Sequence, residues 1–230
     1  MLLYPPLYTQ KGLFMKYDAV IFDLDGTILS TLEDLADSTN YALTANGLPA
    51  RTNDEIRGFV GNGARSLIEK SVPENTNVEI IDKVHATFAK HYTANCSIKT
   101  KPYDGILEIM GNLRKAGLKL AVLSNKPDYA VQPLCKQYFD GYLDAASGEV
   151  EGIAKKPAPD GVYRIVDILG VKRDRCVYIG DSDVDVITAA NSKMDCIAVD
   201  WGFRDRDNLL TAGASVIAST PEELFELIIK

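Results

Sequence analysis

The stretch YDAVIFDLDGTILS, Tyr17 to Ser30, decides the fold. Its apolar run Ala19-Val20-Ile21-Phe22 shows no alternation, as expected of a strand covered on both faces in a parallel sheet. The run stops at Asp23, and Leu24, Asp25, Gly26 and Thr27 follow. Open α/β sheets bind ligands beyond the carboxyl ends of their strands, so this junction is where chemistry is expected. Two aspartates spaced by two residues project toward the same side of an extended backbone. Held together, they call for a bound cation or a shared proton. The plainer alternative is a strand-to-turn junction, where Asp and Gly are common residues.

Working outward, the next 70 or so positions carry helix signals and no strand. Leu32, Leu35, Ala36, Thr39 and Leu43 recur at helical spacing between Ser30 and Asn46, and Gly47-Leu48-Pro49 ends the run. Further helices are predicted over Thr52–Phe59, Ser66–Lys70 and Val78–Cys96, with Val60 to Arg65 as a glycine-containing loop. So long a connection in a sheet protein is read as an inserted helical domain. Strand–helix alternation resumes near Pro102. Strands are predicted at Leu118–Leu123, Tyr142–Asp144, Cys176–Ile179, Cys196–Val199 and Ser215–Ile217. Helices are predicted at Gly105–Ala116, Tyr129–Tyr138 (kinked or restarted at Pro133), Asp160–Leu169, up to Asn191, and Pro221–Ile229. The fold class expected is α/β, a Rossmann-like parallel sheet with an inserted small α-helical cap. The expected divisions are residues 1–14 as an N-terminal extension, 15–28 with 99–230 as the core, and 29–98 as the cap.

The bulk properties narrow the partners. The chain has 230 residues, 46% hydrophobic and 25% charged, with a formal net charge of −7. A negative overall field disfavours a nucleic-acid backbone or an anionic membrane as partner. No apolar run is long enough to span a bilayer. The opening MLLYPPLYTQKGLF lacks a basic start and carries Pro5-Pro6, unlike a signal peptide. Cys96, Cys135, Cys176 and Cys196 are scattered without CxxC spacing, and apolar neighbours make Cys176 and Cys196 expected buried thiols. With only His85 and His91 besides, and both read as surface or packing residues, a zinc site is not expected.

Each conspicuous polar cluster follows a predicted strand, so distant segments converge on one side of the sheet. Ser124-Asn125, Lys156, and Asp181 with Asp185 join Asp23 and Asp25 there. Asp23 and Asp181 are hard oxygen ligands suited to Mg²⁺, with Asp25 adding its backbone oxygen while its side chain does acid/base work. Lys156 and the Ser124 hydroxyl offset phosphoryl charge, and Lys156 keeps a neighbouring aspartate ionised and nucleophilic. Each member has a plain alternative: a solvated surface lysine for Lys156, a helix cap for Ser124-Asn125, and a helix N-terminus for Asp181, Asp183 and Asp185. The combination is more specific than any part.

That combination resembles the haloacid dehalogenase-like hydrolase superfamily over residues 17 to 228. Its first motif, DxDGT, matches Asp23-Leu24-Asp25-Gly26-Thr27; Ser124, Lys156 in KPAP, and Gly180-Asp181-Ser182-Asp183-Val184-Asp185 match the other three. The resemblance implies Asp23 as a nucleophile forming an aspartyl-phosphate and Asp25 as general acid and base. It implies Mg²⁺ held by Asp23, Asp25 and Asp181, and Asp185 supporting the metal's water shell or orienting Lys156. The helical insert, with Val60-Gly61-Asn62-Gly63 before an apolar helix, resembles the phosphoglycolate phosphatase-like branch, whose cap loop reads the substrate. Gly61, Asn62 and Gly63, with Thr27 and Asn125, are therefore expected to bind substrate. Arg65 is a candidate contact for a carboxylate or second anion, or else an exposed arginine at a helix start.

The resemblance implies a cytoplasmic phosphatase, monomer or homodimer, acting on a small phosphorylated metabolite, with 2-phosphoglycolate first. Pyrophosphate, a sugar phosphate or a nucleotide would need only cap differences. A β-phosphoglucomutase-like enzyme and a non-catalytic metabolite-binding protein are the more distant alternatives. Dehalogenation fits poorly, because dehalogenases of the family lack the second aspartate.

Overall fold

A computed structural model describes residues 15–230; the N-terminal extension expected at 1–14 lies outside them. Strand β1 (Ala19–Phe22) is wholly buried. Ahead of the core's next strands come β2 (Leu29–Ser30), α1 (Leu32–Ala45), α2 (Asn53–Phe59), α3 (Gly63–Ser71), α4 (Val78–Asn95) and β3 (Lys101–Pro102). The chain then alternates through α5 (Ile106–Lys115), β4 (Lys119–Pro127), α6 (Asp128–Phe139), β5 (Ala145–Glu149), α7 (Asp160–Leu169), β6 (Cys176–Gly180), α8 (Asp183–Asn191) and β7 (Asp195–Val199). It closes with α9 (Arg206–Thr211), β8 (Ile217–Ala218) and α10 (Pro221–Ile229).

The main sheet runs β5-β4-β1-β6-β7-β8, and every neighbouring pair is parallel. Its side chains alternate between two cores. Val20 and Phe22 of β1, Leu120 and Val122 of β4, and Val177 and Ile179 of β6 face one. Ala19, Ile21, Ala121, Leu123, Cys176 and Tyr178 face the other. The first core is closed by Ile106, Ile109, Met110 and Leu113 of α5 and by Val131, Leu134 and Phe139 of α6. The second is closed by Val162, Ile165 and Leu169 of α7. Burial on both faces is why the strands read as unbroken apolar runs.

Helices α1 to α4 form the inserted cap, stapled at its two ends by the antiparallel ribbon β2/β3. Buried Asp34 fixes the return: its carboxylate accepts the backbone N–H groups of Lys99 and Thr100 at 2.8–3.0 Å. A capping box starts α2, with Thr52 Oγ1 accepting from the Glu55 N–H and Glu55 Oε2 accepting from that of Thr52.

The structure corrects several boundaries. The strand expected at Tyr142–Asp144 lies three residues later, at Ala145–Glu149. Asp144 precedes the strand and holds Leu120 at both ends: its N–H donates to the Leu120 carbonyl and its carboxylate accepts the Leu120 N–H. Helix α6 runs as one element through Pro133. Helix α3 begins at Gly63, not Ser66, and β4 continues through Ser124 to Pro127. Cys176 is buried as expected, whereas Cys196 is only half-buried; all four thiols are free.

Candidate active site

Register builds the site. Phe22 pairs with Val122 of β4 on one side and Ile179 of β6 on the other. The residues just beyond, Asp23, Ser124 and Asp181, therefore emerge together. The chain winds outward from β1 toward β4 and β5, then returns to β6 and winds the other way. Asp23 and Asp181 straddle that reversal, the place where open α/β sheets hold ligands.

Asp23, Asp181 and Asp185 offer carboxylate oxygens that all lie within 4.8 Å of one another, and all three residues are buried. Lys156 answers part of this charge, its ammonium 2.9 Å from Asp23 and 2.7 Å from Asp185. Burial is the largest influence on Asp23, and the Asp185 carboxylate adds to it against Lys156; the acid is pushed up to about 7. Burial, then Asp185 and Asp23, hold the Asp181 acid well above the usual carboxylate range. Burial opposes the charge on Lys156, but Asp185 and Asp23 outweigh it and keep the ammonium firmly protonated. The Lys156 ammonium at 2.9 Å is the contact that answers buried Asp23 Oδ1. Crowded, under-compensated carboxylates with an all-oxygen donor set fit a divalent cation.

The supporting contacts are specific. Asp181 accepts from Thr27 Oγ1 at 2.9 Å and from the Phe203 N–H at 2.7 Å. A Cβ at Gly26, which has φ +84°, or at Gly202 would run into the Asp181 carboxylate, so both positions need glycine. Asp185 accepts from Lys156 Nζ, from Tyr178 Oη at 3.3 Å, and from the N–H and hydroxyl of Ser182. With Ser182 it also forms the capping box that starts α8. One side chain thus both caps a helix and belongs to the carboxylate cluster.

A cleft of about 610 Å³, measured to its open mouth, lies over these groups. Its floor includes Asp23, Asp25, Ser124, Asn125, Lys156 and Asp181, and its cap wall includes Leu35, Val60, Leu67, Phe88 and Tyr92. Gly61 and Gly63 line it too. Asn125 ties the two sides together: its amide donates to the carbonyls of Gly61 (3.1 Å) and Lys156 (3.0 Å), while its oxygen accepts the Lys156 N–H. Two arginines clasp cap to core nearby. Arg57 donates to the carbonyls of Gly202 and Phe203, and Arg204 donates to those of Arg57 and Val60 and pairs with Asp183.

Three expected substrate contacts are placed elsewhere. Arg65 does not line the cleft; it is 37% exposed and paired with Glu69 and Asp82. The early start of α3 carries it onto the cap's outer surface. Asn62 also stays out of the cleft, and its carbonyl accepts from Lys155. Thr27 braces Asp181 and does not line the cleft. Conversely, sequence reasoning missed Lys126 and Tyr92. Both oxygens of Asp25 are 2.7 Å from Lys126 Nζ, and Lys126 sits 4.8 Å from the centre of the Tyr92 ring. The signal for Lys126 was its position in β4, where alternating side chains from the strand beside β1 can reach the Asp25 turn.

The family described as haloacid dehalogenase-like hydrolase matches residues 20–199. The chain is 32% identical over 196 residues to the phosphoglycolate phosphatase of Mesorhizobium japonicum, covering 84% of this chain and 86% of that one. It is 29% identical over 218 residues to the N-acetylmuramic acid 6-phosphate phosphatase of Pseudomonas aeruginosa, covering 93% and 96%. The crystal structure of a candidate phosphoglycolate phosphatase from Lactobacillus delbrueckii subsp. bulgaricus superposes with a TM-score of 0.90 at 44% identity, covering 94% and 99%.

Proposed function

This chain belongs to the haloacid dehalogenase-like hydrolases and is a phosphatase, and on that premise we propose that it hydrolyses 2-phosphoglycolate to glycolate and phosphate. The observation that carries the chemistry is the buried convergence of Asp23, Lys156 and Asp181 on the floor of a capped cleft, with Asp185 behind them.

In this reading an Asp23 oxygen attacks phosphorus, the phosphorus–ester oxygen bond breaks, and Asp25 gives its proton to the departing alkoxide. Asp25 then takes a proton from water as that water attacks the aspartyl-phosphate, releasing phosphate and restoring Asp23. Lys156 and Ser124 hold the phosphoryl oxygens, and Asp185 holds Lys156 in place. Asp23, the main-chain oxygen of Asp25, and Asp181 would hold Mg²⁺, with Thr27 bracing Asp181. The bound cation supplies charge neutralisation at the phosphoryl group. The Asp25 side chain, turned toward Lys126, stays outside the carboxylate cluster. Residues 29–98 are the cap that shields the reaction from bulk water.

The substrate reading rests on the cleft and on the relatives. Apart from the Tyr92 hydroxyl, the cap wall's side chains are apolar, which suits a small molecule with few hydroxyls better than a nucleotide. Both named relatives act on a phosphoester of a carboxylic acid, and the second keeps a sugar-acid phosphate in view as the next candidate. A phosphate-release assay over 2-phosphoglycolate, N-acetylmuramic acid 6-phosphate, pyrophosphate, simple sugar phosphates and nucleoside monophosphates, with and without EDTA, tests the reading. Highest kcat/KM on 2-phosphoglycolate, lost with EDTA, is expected. A preference for any other member would replace the substrate and leave the chemistry standing.

A further inference from the structure

The cleft holds a second buried cation whose partner is the proposed acid/base. Lys126 is 3% exposed at its side chain and grips both carboxylate oxygens of Asp25 at 2.7 Å. Burial opposes its charge, and Asp25 and Tyr92 more than restore it. Above it, Tyr92 of α4 brings a buried hydroxyl that lies against the Lys126 ammonium, a donor, and among the described residues finds no acceptor for its own proton. A buried O–H with no acceptor is costly, so it points to an acceptor that arrives from outside the protein. Lys156, the other lysine on the cleft floor, is already committed to Asp23 and Asp185. Leu35, Val60, Leu67 and Phe88 offer nothing polar from their side chains.

We infer that Lys126 and the Tyr92 hydroxyl form the subsite for the substrate's second anion, a carboxylate, and that its arrival draws Lys126 off Asp25. This rests on the reading of Asp25 as acid/base. A desolvated ammonium must keep a carboxylate partner, because breaking a buried pair leaves an uncompensated charge. A substrate carboxylate replaces Asp25 as that partner without leaving Lys126 alone. A substrate without a second anion cannot, so Asp25 stays tied to Lys126 and is withheld from proton transfer. The second anion thereby raises kcat as well as binding, because its contacts favour the arrangement that reacts. Tyr92 belongs to the cap and Lys126 to the core, so the subsite is complete only with the cap closed over the cleft.

The test compares the full-length, metal-loaded enzyme on 2-phosphoglycolate and on ethyl phosphate, which carries a methyl group where the carboxylate stands. Wild type is expected to favour 2-phosphoglycolate in kcat/KM by about 100-fold or more, with part of the difference in kcat. Lys126→Met is expected to collapse that ratio to within about tenfold, chiefly through loss on 2-phosphoglycolate. Tyr92→Phe, which keeps the packing, is expected to raise KM for 2-phosphoglycolate roughly fivefold and to move ethyl phosphate less. Equal losses on both esters in Lys126→Met would overturn the subsite, since Lys126 would then act on Asp25 alone. If Lys126→Met does not fold, unchanged discrimination in Tyr92→Phe would overturn it. A wild type that ignores 2-phosphoglycolate would sink the substrate reading alone. The same comparison would then be made with the preferred ester and its isostere lacking the second anion, and a preferred ester with no second anion would overturn the subsite as well.

Discussion

Lys156 and Asp185 form an ion pair of 2.7 Å with both side chains buried, and this pair fixes the ammonium that faces Asp23. Removing one partner of a buried pair typically costs about 3–5 kcal/mol. Asp185→Asn is therefore expected to lower unfolding free energy by about 3 kcal/mol in denaturant titration and to reduce kcat by at least about tenfold. Wild-type stability in this variant would show that Ser182 and Tyr178 alone position the segment.

The crowded carboxylates link metal, pH and stability. Asp23 titrates near 7 in the folded, metal-free protein against 3.8 as its ordinary value, burial being the main cause. Between those values the folded protein holds a proton the unfolded chain has released, so stability from this group falls as pH rises. Asp181 acts in the same sense. The surface acids Asp18, Asp144 and Asp195 are held below 3.8 by their partners and matter only at lower pH. Cation binding needs the ionised carboxylates and releases protons. The rise in thermal midpoint on adding Mg²⁺ is thus expected to be larger at about pH 7.5 than at about pH 5.5 in thermal-shift measurements. A shift independent of pH would count against metal on this cluster.

Thr27 acts through Asp181. Thr27→Val removes the 2.9 Å hydrogen bond while keeping the shape. The expected result is a rise in half-saturating Mg²⁺ of about tenfold, with kcat largely recovered at high metal, and rescue by Thr27→Ser. A fall in kcat that metal does not restore would place Thr27 in the substrate site after all.

Arg204 donates to the carbonyls of Arg57 and Val60 in the segment from α2 to α3. Arg204→Ala is expected to raise KM by about fivefold to tenfold and to speed hydrogen exchange over α2 and the following loop, since each lost bond is worth about 1 kcal/mol. Unchanged exchange would mean that Arg57 and Asn125 hold the cap without it.

Much of this molecule was legible because its chemistry sits at strand ends. Ala19–Phe22 announced a doubly covered strand, and the register of β1 with β4 and β6 brought Asp23, Ser124 and Asp181 together. What was hidden depended on orientation. Arg65 had the right chemistry, but a helix beginning at Gly63 turned it to the outer surface. Lys126 lay beside a recognised motif, yet its pairing with Asp25 is a contact between residues 101 positions apart. Tyr92 sat in a helix whose buried face reads as ordinary packing. The ribbon β2/β3 has two residues per strand, too few for any periodicity, and β5, reading AASGE, lacks the branched and aromatic residues that mark a strand.

The central claim is that the Asp23 carboxylate attacks phosphorus, and initial-rate phosphate release by Asp23→Asn tests it most directly. Assayed on 2-phosphoglycolate with saturating Mg²⁺ and a wild-type circular-dichroism spectrum as the folding control, the variant is predicted to lose about 10⁴-fold or more in kcat. A folded Asp23→Asn enzyme within tenfold of wild type would contradict it.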